Sequence, residues 1–360
     1  MKRLIVIIAA AFLGGVAVED LDACTGIQLP AKDGSSVVAR TVEWAATPMQ
    51  CGYVVAPRKH TQQSFTPTGE NGLKYTSVYG YVGVYTEYEP FVVEGVNEVG
   101  LAAGLFFFPG FGDYAAYDST HNARTLCDMQ FVSWVLSQFS TIDQVKAAIS
   151  KIDIVTLSNK IGSVHWRIAQ PDGRMVVMEI VGGVPQFYEN KLGVITNAPG
   201  FQWHMTNLNN YLNLVPGSAP DNTIKKGITL QPLGHGSGML GLPGDFTSPS
   251  RFVRATFFQT TAPTWPTGFD AVVQAFHILN NFDIPIGSQH TIADMPKGLP
   301  SATQVTTATD QHALQFYYRT AWNSNIRCID LKNIDFKRIK FRSQPLDDVK
   351  IQPVEYLKVE

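Results

Sequence analysis

Strand-like segments, then helical ones, then strands, helices and strands again follow one another along this chain. That order predicts an α+β fold built on antiparallel sheets rather than a βαβ alternation. Two observations carry the prediction. The early chain alternates with period two between turn signals, and helical spacing is confined to blocks near 125–150 and 250–280. The first strands are expected at Thr25–Leu29, Ser36–Arg40 and Cys51–Ala56, the first two separated by the turn Lys32-Asp-Gly34. Val92–Phe107 reads as a hairpin turning at Asn97-Glu-Val-Gly100. Thr125–Gln138 has helical spacing, and Thr141-Ile-Asp-Gln144 is a capping box that opens a helix to Ile149. Strands are expected again at Val164–Ala169, Met175–Ile180, Gln186–Glu189 and Gly193–Thr196. Residues 216–249 are rich in Gly and Pro and read as a long surface loop. Ser250 then caps one helix, Asp270–Leu279 forms another, and Gln315–Arg319 and Arg327–Leu331 are strand-like.

Lys2 and Arg3 precede an apolar run, Leu4–Val18, that is too short for an ordinary membrane span and reads as a signal peptide. Gly15-Val-Ala17 is the better small-x-small match for cleavage, which leaves Val18–Ala23 as a short propeptide lost in a second cut. The expected division is therefore 1–23, leader and propeptide, and 24–360, a single domain of about 340 residues, periplasmic or secreted. Net charge is −2 with no basic stripe, so there is no electrostatic case for nucleic acid or for stable membrane association. The four cysteines, at 24, 51, 127 and 328, lack metal-type spacing, so no metal and no cofactor is expected.

Cys24 is the candidate nucleophile. Cleavage before it gives one residue a thiol and an α-amine of pKa about 8, so the nucleophile brings its own base. Four further positions hold candidate polar groups. Arg40 and Glu43 lie on opposite faces of their segment if it is extended and on one side if it turns; such a pair is ordinarily a solvated ion pair worth under ~1 kcal/mol. Asn197, before Ala198-Pro199, is ordinarily a turn residue. Arg251 sits in a helical first turn, where the dipole disfavours a cation. Their joint occurrence, in this order, is the informative feature.

That pattern resembles the choloylglycine hydrolase family, which includes bile salt hydrolases and penicillin V acylases of the N-terminal nucleophile superfamily. The markers are Cys24-Thr-Gly-Ile, Arg40-Thr-Val-Glu-Trp44, Gly95-Val-Asn-Glu-Val-Gly-Leu-Ala-Ala-Gly104, Val164-His-Trp166 before Pro171-Asp-Gly173, and Ile195-Thr-Asn-Ala-Pro199. Trp203-His-Met-Thr-Asn-Leu208, Gly241-Leu-Pro-Gly-Asp245, Ser250-Arg-Phe-Val-Arg254 and Tyr317-Tyr-Arg-Thr320 follow in family order. The resemblance implies a four-layer αββα sandwich of two antiparallel sheets, with Cys24 opening a central strand, and commonly a homotetramer. It also implies an amide hydrolase. Cys24 would attack, Arg40 would favour its thiolate, Asn197 would donate to the oxyanion, and Arg251 would hold the network. Glu43 stands where the family has Asp, the carboxylate that orients the α-amine. The second oxyanion donor, Asn or Tyr in relatives, falls at Phe107, whose ring cannot donate, so a backbone N–H is expected in its place.

An apolar acyl pocket is expected from Phe106, Phe107 and Phe108 with Phe111 and Tyr114. The wide Gly/Pro-rich loop favours conjugated bile salts as the small-molecule acyl amide; penicillin V and N-acyl-homoserine lactones are the alternatives. Two other readings compete. Leu21-Asp-Ala-Cys24 partly matches a lipobox, in which the amine and thiol would both be lost, but Asp22 fits poorly and no polar tether follows. An inactive binding relative would account for Phe107 and Glu43, yet Cys24, Arg40, Asn197 and Arg251 are all retained.

Overall fold

The computed structural model describes residues 23–157 and 162–359, so the expected leader lies outside the described residues apart from Ala23. Two antiparallel sheets face each other. The five-stranded sheet runs in the order β1 (Thr25–Pro30), β2 (Ser36–Glu43), β10 (Thr303–Asp310), β11 (Gln315–Thr320), β12 (Asn323–Asp330). The eight-stranded sheet contains β3 (Cys51–Ala56), β4 (Tyr81–Thr86), β5 (Val92–Asn97), β6 (Ala102–Phe107), β7 (Val164–Ala169), β8 (Met175–Val181), β9 (Val184–Glu189) and β13 (Arg342–Pro345). Its spatial order is β9-β8-β7-β6-β5-β4-β3-β13.

Local chemistry explains several joints. Gly34 takes φ +89 at the β1–β2 turn, a conformation that favours glycine, and the Ser35 N–H donates to Asp33 Oδ1 at 2.9 Å. At the β5–β6 hairpin the Asn97 side chain accepts from the N–H groups of Val99 and Leu101. Its Nδ2 donates to Leu136 O and Phe139 O at the end of helix α1 (Phe131–Gln138). The turn is thereby tied to the helix that covers it. Helix α2 (Ile142–Ile149) opens with Thr141 accepting from Gln144 N.

Helices α1 and α2 bury their apolar faces in the core on the outer face of the large sheet. The short helix α3 (Phe201–Asn207) and the longer α4 (Ser248–Thr261) and α5 (Gly268–Leu279) contribute to a second core over β1 and β2. The layers are thus helix, sheet, sheet, helix. Between the sheets the Arg167 guanidinium donates to Glu94, both fully buried. Burial raises the Glu94 pKa and lowers that of Arg167, and their mutual attraction opposes both shifts.

The expected strands at 51–56 and 164–169 coincide with β3 and β7. Other expectations need correction. β1 is an edge strand and not a central one; among the described residues its free side pairs with main chain only at the isolated bridge Gly26↔Ile195, while the Gln28 N–H donates to Gln259 Oε1 at 3.0 Å. The expected strand at 193–196 reduces to that bridge. Thr125–Cys127 is a short strand and Asp128–Gln130 a 3-10 turn, so helix starts only at Phe131. The reason is tertiary: the Cys127 N–H donates to Ser64 Oγ and Thr125–Cys127 pairs with Asp153–Val155. Thr247, not Ser250, is the N-cap of α4, because Ser248 and Pro249 already occupy its first turn. The 216–249 segment holds an exposed hairpin, Asn222–Lys225 with Ile228–Leu230.

Candidate active site

Register places the candidates before any hydrogen bond is counted. Thr25 lies opposite Thr41 and Gly26 opposite Arg40, so Cys24, two residues before Gly26, shares the face of β1 and β2 that looks toward the large sheet. Arg40 shares that face. Its Nη1 donates to Val93 O (3.1 Å) and to Leu105 O, and its guanidinium carbon lies 4.0 Å from the centre of the Phe106 ring. Thr41 and Glu43 lie on the other face of β2. The extended conformation therefore decides that Arg40 and Glu43 point to opposite sides.

The densest contacts surround the Cys24 main chain. Its nitrogen donates to Asn197 Oδ1 at 2.8 Å. Arg251 Nη2 donates to the same oxygen at 2.8 Å, while Nη1 donates to Cys24 O and to Thr25 Oγ1 (2.9 Å). Arg251 Nε is satisfied by Phe246 O at 2.8 Å. The Asn197 Nδ2 donates to Phe107 O at 2.8 Å. Two donors on Oδ1 and a carbonyl on Nδ2 fix the orientation of the amide. Cys24, Asn197 and Arg251 are each more than nine-tenths buried, so the charge on Arg251 is held by directed hydrogen bonds in a dry environment. Ala23, also buried, packs with Ala45, Ile284 and Ala302.

Glu43 is buried, with Oε1 accepting from Thr303 Oγ1 at 3.3 Å and Oε2 lacking a hydrogen-bond partner among the described residues. Burial pushes its pKa up to about 8, against the opposing pull of Arg251.

The side chains expected to form the acyl pocket point in different directions. Phe106 and Phe108 are both buried. Phe106 fills the space between the sheets, and Phe108 stacks on His165 at 4.4 Å. Strand alternation turns the Phe107 ring to the other face of β6, where it packs on Gly162, and Phe111 is exposed on the following loop. Tyr114 bonds both Val164 N (2.8 Å) and Val164 O (3.2 Å), and burial drives its phenol pKa up. It lines a cavity of about 800 Å³ with Pro67, Asp113 and Tyr117.

The main chain of Phe107 is better placed than its ring. Phe108 N donates across to Ser163 O on the β7 side, so the Phe107 N–H and C=O face the opposite edge of β6. Pairing with β5 stops at Gly104, and the Phe107 C=O meets Asn197 on that edge.

This geometry can be set beside known proteins. The profile described as linear amide C–N hydrolases, choloylglycine hydrolase family, matches residues 24–345. The chain belongs to the choloylglycine hydrolase family. A bile salt hydrolase/transferase from Clostridium perfringens is 31% identical over 323 residues, covering 88% of this chain and 95% of that protein. A penicillin V acylase from Pectobacterium atrosepticum is 24% identical over 324 residues, covering 83% and 78%. The crystal structure of a variant conjugated bile acid hydrolase from C. perfringens superposes with TM-score 0.80 and 27% identity, covering 93% of this chain and all of that one. The family match begins at Cys24, the residue the sequence singles out. As a member of that family the chain is a hydrolase of linear amide C–N bonds with the N-terminal nucleophile fold.

Sequence reasoning did not single out His165, Glu179, Thr196, His204 or Ser248 as site residues, yet His204 and Ser248 hold the Asn197 main chain, His165 reaches Thr196 O, and Glu179 lies behind His165. Three of them stand inside family motifs: Thr196 in Ile195-Thr-Asn-Ala-Pro199, His165 in Val164-His-Trp166 and His204 in Trp203-His-Met-Thr-Asn-Leu208, where a histidine between aromatic or apolar neighbours was the available signal for the last two.

Proposed function

We propose that the mature chain begins at Cys24 and hydrolyses glycine- and taurine-conjugated bile salts to free bile acid and amine. The single observation that carries this reading is the cluster of Cys24 nitrogen, Asn197 amide and Arg251 guanidinium, assembled from three distant parts of the sequence. While Ala23 precedes Cys24 that nitrogen is an amide and cannot serve as a base; cleavage makes it an amine. The amine takes the thiol proton and the thiolate attacks the amide carbonyl. The remaining N–H of Asn197 Nδ2 and the Phe107 N–H stabilise the oxyanion. Collapse breaks the C–N bond, the ammonium returns its proton to the departing amine, and a thioester remains on Cys24. Water, deprotonated by the same α-amine, releases the acid and regenerates the thiol. Arg40 supports the thiolate by charge from the shared face. A positive charge on the α-amine opposes the burial that keeps the Glu43 carboxyl protonated, so the carboxylate on β2 forms when the ammonium does and orients it.

The bile salt assignment is supported by the bile salt hydrolase relatives; the penicillin V acylase relative supplies the alternative. Cys24→Ser should lose most activity and keep the fold. Side-by-side kcat/KM on taurocholate, glycocholate, penicillin V and a long-chain acyl-homoserine lactone tests the substrate. A bile salt should lead, and a tenfold lead for penicillin V or the lactone, about 1.4 kcal/mol, sinks the assignment. Export with loss of residues 1–23 and a homotetramer belong to the same reading. The exposed Ile224, Ile228 and Leu230 on the 222–230 hairpin support the tetramer, and a monomer in sedimentation equilibrium would remove it.

A further inference from the structure

We propose that His204 is a positioning residue: its Nε2–H, together with Ser248 Oγ, clamps the Asn197 peptide and so holds the Asn197 amide against Cys24 and Arg251. The inference rests on the functional reading above for its catalytic consequence, but its structural content is independent of substrate.

Thr196 and Asn197 follow the one-residue bridge at Ile195 and belong to no strand, yet both are almost fully buried. Their main-chain polar groups must find partners, and no ladder supplies them. Side chains from three elements do. His165 Nε2 on β7 lies 3.0 Å from Thr196 O. The Asn197 N–H donates to Ser248 Oγ of α4 at 3.0 Å. His204 Nε2 of α3 lies 3.0 Å from Asn197 O. Both polar ends of the residue that carries the amide are therefore held by side chains.

Each clamp is itself fixed. Ser248 Oγ donates to Thr196 Oγ1 at 3.0 Å. The His204 ring stacks on Phe252 at 4.6 Å, nearly parallel, which leaves it one orientation. A carbonyl opposite Nε2 places the ring proton there, and Nδ1 is buried without a hydrogen-bond partner. Burial lowers the His204 pKa to about 4, so the ring is neutral at the pH where an α-amine can act as a base. Behind His165, Glu179 Oε1 lies 3.2 Å from Nδ1 and accepts the Phe201 N–H at 2.8 Å, tying the clamp to the start of α3. Small misplacements of a catalytic group can cost about 10²-fold, which is why a buried peptide is held this way.

The test compares mature wild type with His204→Phe, His204→Gln and Ser248→Ala. Phenylalanine keeps the ring on Phe252 and removes the N–H; glutamine carries its amide N–H to about the same reach as Nε2. His204→Phe should lower kcat at least tenfold with KM within twofold, and His204→Gln should stay within about threefold of wild type. If His204→Phe does not fold, Ser248→Ala, which frees the other end of the peptide, should lower kcat several-fold at unchanged KM. Crystal structures read the same point without turnover: Asn197 Oδ1 should leave the Cys24 nitrogen in His204→Phe and stay in His204→Gln. A His204→Phe enzyme with wild-type kcat, a His204→Gln enzyme as slow as His204→Phe, or an undisplaced Asn197 overturns the proposal. If wild type cleaves none of the acyl amides, the functional reading fails instead, and the crystal structures alone decide the clamp.

Discussion

At the residue scale the site is a set of buried polar groups, each of which must be satisfied or pay for desolvation. Glu43 is one that is only half satisfied, with one carboxylate oxygen unpartnered among the described residues while its pKa is held near 8 by burial. The sign of its effect on stability follows. Between its ordinary value of 4.5 and about 8 the folded chain binds a proton that the unfolded chain has lost. Its contribution is complete below 4.5 and disappears as pH rises through 8. The slope is at most about 1.4 kcal/mol per pH unit. A Cys24→Ala chain retaining Ala23, which cannot generate the α-amine, should lose stability from pH 5 to 8 in urea unfolding. Adding Glu43→Gln should flatten that loss. Equal slopes in the two chains would show that the carboxyl does not titrate as described.

At the element scale β1 is an edge strand whose outer neighbour is a single bridged residue, and Gly26 makes that possible. A Cβ on Gly26 would meet Ile195 Cγ2 at 2.8 Å and the Phe106 ring at 2.9 Å. Gly26→Ala should cost about 1–3 kcal/mol in urea unfolding. It should also lower kcat, because Ile195 carries the chain toward Asn197; wild-type stability and rate would mean the bridge is dispensable. Val164–Ala169 is legible in the sequence because apolar and polar residues alternate along it between turn signals, although all six are buried and its polar members His165 and Arg167 are held by hydrogen bonds inside the fold. Thr303–Asp310 is not. All eight of its residues are buried, but its threonines hide the apolar period and leave only β-branched propensity as a signal. The nucleophile, Asn197 and Arg251 are legible because they recur in a family order. The clamp of His204 and Ser248 is not, since it serves main-chain groups whose positions only the fold supplies.

At the scale of the whole molecule the two facing sheets bring Cys24 and Arg40 on one against Phe106 and the Glu94–Arg167 pair on the other. The helix layer over the smaller sheet delivers Arg251 to the opposite side of Cys24. Cys24 is thus gripped through its nitrogen and its carbonyl while its side chain faces between the sheets. The same arrangement places the nucleophile and its proposed base on one residue, and that is the claim on which everything else depends. Mass spectrometry of mature enzyme mixed with excess taurocholate and quenched in acid tests it most directly. The tryptic peptide 24–32 should begin at Cys24 and carry one cholyl group as a thioester. Acylation of another residue, or full turnover by a chain whose peptide still begins upstream of Cys24, would contradict it.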